Sequence, residues 1–301
     1  MSPTQEASRR TMARYKTLRM MGASMMRKIL IQGAILIPLF LFVFLGSDCS
    51  SADPDKGRND HLVMSVLWFQ NSAEMRALSY QAFNLARLRL DQDRVQNKGV
   101  KKRAVVIDID ETLLDNSPHM GKLIKDNEVF PYAWTEWVSR AEADPLPGAV
   151  EFLAYAVSKG YDIFYISNRS AKTESDGTIE NLKKKGFPQV LPDHVMLKEE
   201  ESSKEARRNA VKKTHEIALL IGDNLNDLAT VFEKKSIADR SSEVDMLKEE
   251  FGKKFIVLPN PMYGDWENAV YKYGRGLSDK EKDQLRKLAL KDFDLNKKTK
   301  D

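Results

Sequence analysis

Four short apolar runs, at residues 104–109, 163–166, 217–221 and 255–258, recur along the chain with helical patterns between them. A run this short without a polar face suits a strand covered on both sides. The stretches between them carry helix formers. Residues 147–159 follow Pro147, 173–186 end at Gly186, and 203–213 and 226–234 come next. Strands that alternate with helices pair in parallel through crossovers, so the pattern predicts an α/β fold with a parallel sheet flanked by helices. Residues 61–97 hold no Gly or Pro, which predicts one or two long helices ahead of the first strand. A basic turn follows at 98–103, and 279–293 reads as an exposed terminal helix with a frayed tail.

The amino-terminal part is of another kind. Residues 29–45 carry no charge and follow Arg27 and Lys28, which is the pattern of a secretory signal. At about 17 residues the run also reaches the lower limit for spanning a bilayer, so an uncleaved anchor competes with a cleaved signal. A start at Met25 or Met26 gives the signal an ordinary basic lead. Cys49, the one cysteine, stands just beyond, in a segment that resembles a bacterial lipoprotein signal. Gly46 and Asp48 depart from that pattern. Lipidation at Cys49, an uncleaved anchor and simple cleavage all stay open. Each predicts an exported product, and the first two a membrane-anchored one.

A single cysteine excludes an intrachain disulfide and a cysteine-based zinc site. The formal net charge of +4 is misleading. Residues 1–28 hold seven basic residues and one acid, so the remainder carries about −2. A nearly neutral body gives no reason to expect a nucleic-acid polymer as partner.

The chemistry lies where the apolar runs end. The first runs into D-I-D-E-T-L-L-D-N, with Asp108 and Asp110 on one side of an extended chain. Ligand sites of open α/β sheets lie beyond such strand ends. Two carboxylates there favour a divalent cation or a shared proton. The second run leads into Ser167, Asn168 and Arg169, and the third into Gly222, Asp223, Asn224, Leu225, Asn226 and Asp227. A hydroxyl and backbone amides can donate to phosphate oxygens, and Asp223 and Asp227 add hard oxygen ligands suited to Mg²⁺. Lys204, ahead of the third run, supplies a cation to balance them.

D-x-D-x-T, a later Ser, a Lys and G-D-x-x-x-D together resemble the haloacid dehalogenase superfamily. More narrowly, these motifs, with W-F-Q-N-S-A-E at 68–74 and P-M-Y-G-D-W-E at 261–267, resemble the class C nonspecific acid phosphatases of the lipoprotein e type, often described as 5′-nucleotidases. The resemblance covers roughly 61–275. It departs at His119, where the family has an aromatic residue, and at Leu228, where it has Phe.

The resemblance implies a haloacid dehalogenase-like Rossmannoid sheet with a smaller, mainly helical cap. Residues 1–48 are then signal or anchor, 49–60 a linker, and 61–275 the phosphatase domain. The cap is built from inserts and the N-terminal helices, and 276–301 form a terminal helix and tail. It makes Asp108 the nucleophile and Asp110 the general acid and base. Ser167, Asn168 and Lys204 are the phosphate-binding residues. Asp108, the Asp110 backbone carbonyl, Asp223 and Asp227 are the Mg²⁺ site. Tyr132, Trp134, Trp137, Tyr263 and Trp266 are candidates to stack a nucleobase, with Tyr263 first because its loop lies beyond a strand end. The expected activity is hydrolysis of small phosphate monoesters such as nucleoside 5′-monophosphates, at the outer membrane or in the periplasm of a bacterial envelope. The alternative is a surface binding protein or adhesin on the same fold. A homodimer is compatible with either.

Overall fold

The computed structural model describes residues 58–97, 99 and 102–293. The segment read as signal or anchor, Cys49 and the last residues of the tail lie outside these. Among the described residues no helix is long and apolar enough to cross a membrane. In chain order the elements are α1 (Val63–Asn71), α2 (Ala73–Gln96), β1 (Lys102–Ile107), β2 (Leu114–Asp115), α3 (Ser117–Asp126), α4 (Trp134–Arg140), β3 (Asp144–Pro145), α5 (Ala149–Ser158), β4 (Tyr161–Ser170), α6 (Ser175–Lys184), β5 (Val195–Lys198), α7 (Glu205–Thr214), β6 (His215–Gly222), α8 (Ile237–Met246), β7 (Phe255–Val257), α9 (Asp265–Val270) and α10 (Asp279–Ala289).

Five strands form one parallel sheet in the order β5-β4-β1-β6-β7. The pleat sorts each strand onto two cores. Val105, Ile107, Ile163, Tyr165, Leu219 and Ile221 pack on one side, and Ala104, Val106, Phe164, Ile166, Ile217 and Leu220 on the other. Burial of both faces explains why these strands are apolar throughout. The chain builds outward from β1 through β4 and β5, then returns to the other side of β1 with β6 and β7. The order reverses at β1, where such sheets open a crevice at their carboxyl ends.

Ser72 separates the two N-terminal helices. Its backbone is extended, and its side chain accepts from the Met75 amide to cap α2. Met75, Ser79, Ala82, Phe83, Ala86 and Leu90 make the buried stripe of α2. Phe83 stacks on Phe152 of α5 at 5.5 Å, and the Tyr161 hydroxyl of β4 donates to Leu90 O at 3.0 Å. Thus α2, expected in the cap, instead covers a sheet face. The insert between β2 and β3, an antiparallel pair, carries α3 and α4, and α1 packs against α3. The stretch read as a linker is packed by residue 59, since the buried Asn59 amide donates to Leu123 O at 3.3 Å.

The short strand β5 lies outside the four apolar runs, and one other expectation fails. Residues 226–234 do not form a helix but two single turns, Leu225–Asp227 and Thr230–Phe232, with extended backbone at Ala229 between them. Asn224 and Asp227 cap one another across the first turn, and this local pairing wins over helix propagation.

Candidate active site

Three strands deliver the acidic and hydroxyl groups to one place. Asp108 follows β1, and its amide donates to Ile221 O of β6 at 2.9 Å. Asp223 follows β6, and Asp227 lies four residues on in the capped turn. Asp108, Asp223 and Asp227 each offer a carboxylate oxygen, all within 4.8 Å of one another. Lys204, at the start of α7, bonds Asp108 and reaches Asp227 Oδ1 at 2.7 Å. One turn on, the buried Arg208 donates to the carbonyls of Asn226 and Asp227, both at 2.9 Å. Residues four apart share a helix face, so α7 neutralises the acids with one cation and holds their loop with the next.

Burial pushes the Asp108 carboxyl well above the usual range, with Lys204 opposing and Asp227, Asp223 and Asp110 adding to the rise. Burial and Asp227 push Asp223 up to about 7. Burial works against the Lys204 ammonium, but Asp108 and Asp227 outweigh it and raise its pKa. Two like charges about 4 Å apart cost on the order of 4 kcal/mol at an effective dielectric near 20. Three carboxylates meet one ammonium here, so two negative charges remain uncompensated when all are ionised. A hard divalent cation matches both that charge and the all-oxygen donor set. The residues therefore fit a hard divalent metal ion.

The Asp110 carboxylate is outside this cluster. Its Oδ1 accepts from Arg169 Nε at 2.9 Å and Asn116 Nδ2 at 2.9 Å, and its Oδ2 from Ser167 Oγ at 3.0 Å. Asp110 thus joins Ser167 rather than the acids. Asn168 is not brought in. Its side chain is exposed and accepts from Arg207 at 2.7 Å, because neighbouring residues of a strand face opposite ways. Thr112 Oγ1 lies 3.3 Å from both Asp108 Oδ2 and Asp223 Oδ1. Glu111, in the left-handed region at φ 54°, accepts from the Asn116 amide at 2.8 Å and closes the turn. Burial, then Asp110, holds its carboxyl well above the usual range.

The aromatic candidates divide. Asn260 Nδ2 donates to Asp223 Oδ2 at 2.8 Å, while Asn260 Oδ1 accepts from the Met262 amide at 2.9 Å, so the Tyr263 loop is tied to the acids. Trp266 donates to Tyr263 O at 3.1 Å. Trp137 donates to Asn116 Oδ1 at 2.9 Å, and Trp134 lies over the Arg169 guanidinium at 5.4 Å. Tyr132 stays exposed, with Lys122 5.8 Å from its ring. His119 is buried against Trp134, with Nε2 2.8 Å from Tyr132 O, and Leu228 is buried in the core. Arg169, Asn116 and Asn260 carry this geometry, although the motifs assign none of them a role. Reading β4 on to Ser170 would have found Arg169, since it shares a face with Ser167 two residues earlier.

A family model described as HAD superfamily, subfamily IIIB (acid phosphatase), matches residues 55–266. The chain is 31% identical to the stem 31 kDa glycoprotein of Glycine max over 169 residues, 52% of this chain and 58% of that protein. It is 29% identical to acid phosphatase 1 of Solanum lycopersicum over 167 residues, 52% of this chain and 57% of that protein. The matched regions therefore span less than two thirds of these curated relatives. Among solved structures, the class C acid phosphatase from Bacillus anthracis is 47% identical, with a TM-score of 0.76, over 79% of this chain and 100% of that one. Its tungstate-bound crystal structure has 47% identity and a TM-score of 0.75, over 78% and 99% of the two chains.

Gly222 is where the loop presses on the strand. A Cβ there would stand 2.5 Å from Asp227 Cβ, so any side chain must displace the acid. Gly222→Ala is expected to lower the unfolding free energy by about 1–3 kcal/mol in urea titration. A midpoint equal to the parent's would show that the loop has room to move.

Proposed function

The chain belongs to the acid phosphatases of the HAD superfamily, subfamily IIIB, a family of phosphoric monoester hydrolases, and on that basis we propose that it is an exported, Mg²⁺-dependent enzyme hydrolysing nucleoside 5′-monophosphates or similar small phosphate monoesters. The observation that carries this reading is the convergence of Asp108, Lys204, Asp223 and Asp227 beside the Asp110–Ser167 pair. The tungstate bound by the Bacillus anthracis relative, a tetrahedral oxyanion like phosphate, supports it.

In this proposal a carboxylate oxygen of Asp108 attacks phosphorus, and the bond to the ester oxygen breaks. Asp110 gives its proton to the departing oxygen. Asp110 then takes a proton from a water whose oxygen attacks the aspartyl-phosphate, releasing phosphate and restoring Asp108. Ser167 and Lys204 bind the transferring phosphoryl oxygens. Asp108, the Asp110 backbone carbonyl, Asp223 and Asp227 would hold Mg²⁺. When bound, the ion shields the phosphate from the surrounding carboxylates. Asp108→Asn should abolish phosphate release from p-nitrophenyl phosphate while leaving the unfolding midpoint within a few degrees of the parent. A chelator should silence the parent, and added Mg²⁺ should restore it. Turnover by the variant within tenfold of the parent would remove Asp108 as nucleophile.

Leaving-group recognition is assigned to Tyr263, because Asn260 ties its loop to Asp223. Stacking of a base on an aromatic ring is worth about 1–3 kcal/mol, so Tyr263→Ala should lower kcat/KM for a nucleoside 5′-monophosphate roughly 5- to 150-fold. Methyl phosphate, which has no ring to stack, should lose far less. Equal losses on both would take Tyr263 out of the site.

Export and membrane attachment rest on the apolar run at 29–45 and on Cys49. If Cys49 is lipidated, Cys49→Ser should abolish palmitate labelling and leave an unprocessed precursor. An intact peptide across residues 46–52 of the mature parent protein would instead support an uncleaved anchor.

A further inference from the structure

Arg169 is 2% exposed, and each nitrogen of its guanidinium has a partner. Nε and Nη2 both reach Asp110 Oδ1, at 2.9 and 2.8 Å. Nη2 also donates to Asn116 Oδ1 at 3.2 Å, and Nη1 to Thr178 Oγ1 of α6 at 3.2 Å. Trp134 covers the guanidinium plane. Asn116 completes the arrangement, since its amide nitrogen donates to the same Asp110 oxygen and its amide oxygen accepts from Trp137 of α4. Three donors therefore converge on Asp110 Oδ1, whereas Oδ2 holds the Ser167 hydroxyl. A serine hydroxyl rotates freely and can pass to a phosphate oxygen, whereas a guanidinium fixed on four groups cannot follow it.

We propose that Arg169 is a positioning residue for Asp110. With Asn116, it pins Oδ1 so that Oδ2 is the single oxygen that exchanges a proton with the substrate. The inference rests on Asp110 being the proton carrier of the proposed reaction. In the first half-reaction, the proton on Oδ2 moves to the ester oxygen as the phosphorus–oxygen bond breaks and Asp108 bonds to phosphorus. In the second, Oδ2 takes a proton from water as the water oxygen bonds to phosphorus and the Asp108–phosphorus bond breaks. A misplaced Asp110 then matters most when the departing oxygen is a poor leaving group.

The test compares p-nitrophenyl phosphate, which releases a stabilised phenolate, with p-nitrobenzyl phosphate, which has a similar ring but releases an alkoxide. The parameter is kcat/KM, which reports only the steps through formation of the aspartyl-phosphate. Arg169→Lys keeps the charge and loses the planar fork. General acid catalysis is worth roughly 100- to 10,000-fold, so Arg169→Lys should cost roughly 30-fold or more on the benzyl ester. The cost on the phenyl ester should be under about fivefold, because that leaving group needs little protonation. Asp110→Asn should show the same selectivity. The Arg169→Lys/Asp110→Asn double variant should be no slower on the benzyl ester than Asp110→Asn alone, as expected when one residue acts through another. Should Arg169→Lys fail to fold, Asn116→Ala decides the matter, with a smaller loss of the same selectivity. Equal losses on both esters, unchanged rates on both, or additive losses in the double variant would overturn the assignment. A parent enzyme that releases phosphate from neither ester would overturn the phosphatase reading itself, and this inference with it.

Discussion

Packing three carboxylates, buried or half-buried, beside one buried ammonium is the constraint around which the strand ends are organised. Asp108, Asp223 and Asp227 lie within 4.8 Å of one another, with Lys204 as the cation between Asp108 and Asp227. Such a cluster is costly in a low-dielectric site and persists only if the surrounding chain holds it there. Arg208 and the mutual cap of Asn224 and Asp227 do so, and Gly222 leaves no room for a side chain against Asp227. The loop that a helical pattern would have continued is instead bent to serve these charges.

The sheet order explains why the acids meet at all. With β1 central and the chain reversing about it, β4 and β6 end on either side of Asp108. Ser167 then stands on one flank and Asp223 on the other. The two flanks have different electrostatics. On the β6 side, excess negative charge favours a divalent cation. On the β4 side, Arg169 and Asn116 surround the Asp110 carboxylate with donors. Two aspartates only two residues apart in sequence therefore sit in opposite environments, one among carboxylates and one among donors.

The insert between β2 and β3 reaches the site through polar contacts. Trp137 donates to Asn116, and Trp134 lies over Arg169. The insert between β2 and β3 thereby touches Asp110 at one remove. Tyr263 and Trp266 approach from the opposite side, through the loop that Asn260 ties to Asp223.

Much was legible from residues alone. The four apolar runs became strands because burial on both faces demands apolar side chains throughout, and that demand is written locally. The acids at their ends and Ser167 were legible for a similar local reason, since extended geometry decides which neighbouring residues point the same way, whereas Lys204, which starts α7, was legible through its place in the motif order. The rest depended on the closed sheet. The short strand β5 has three apolar residues, Val195, Met196 and Leu197, of which only Leu197 is buried, so its local signal is weak. The single turns at 225–232 exist because Asp227 is claimed by Asn224 and Lys204. Asp110 and Arg169 are 59 residues apart, and Asp108 and Lys204 are 96 apart. The sequence by itself determined four of the five strands of the parallel sheet and the chemical groups near their ends, because periodicity and residue type act over a few neighbours. Only the tertiary structure decided which cation meets which carboxylate, because that pairing depends on where the crossovers set the helices against the sheet.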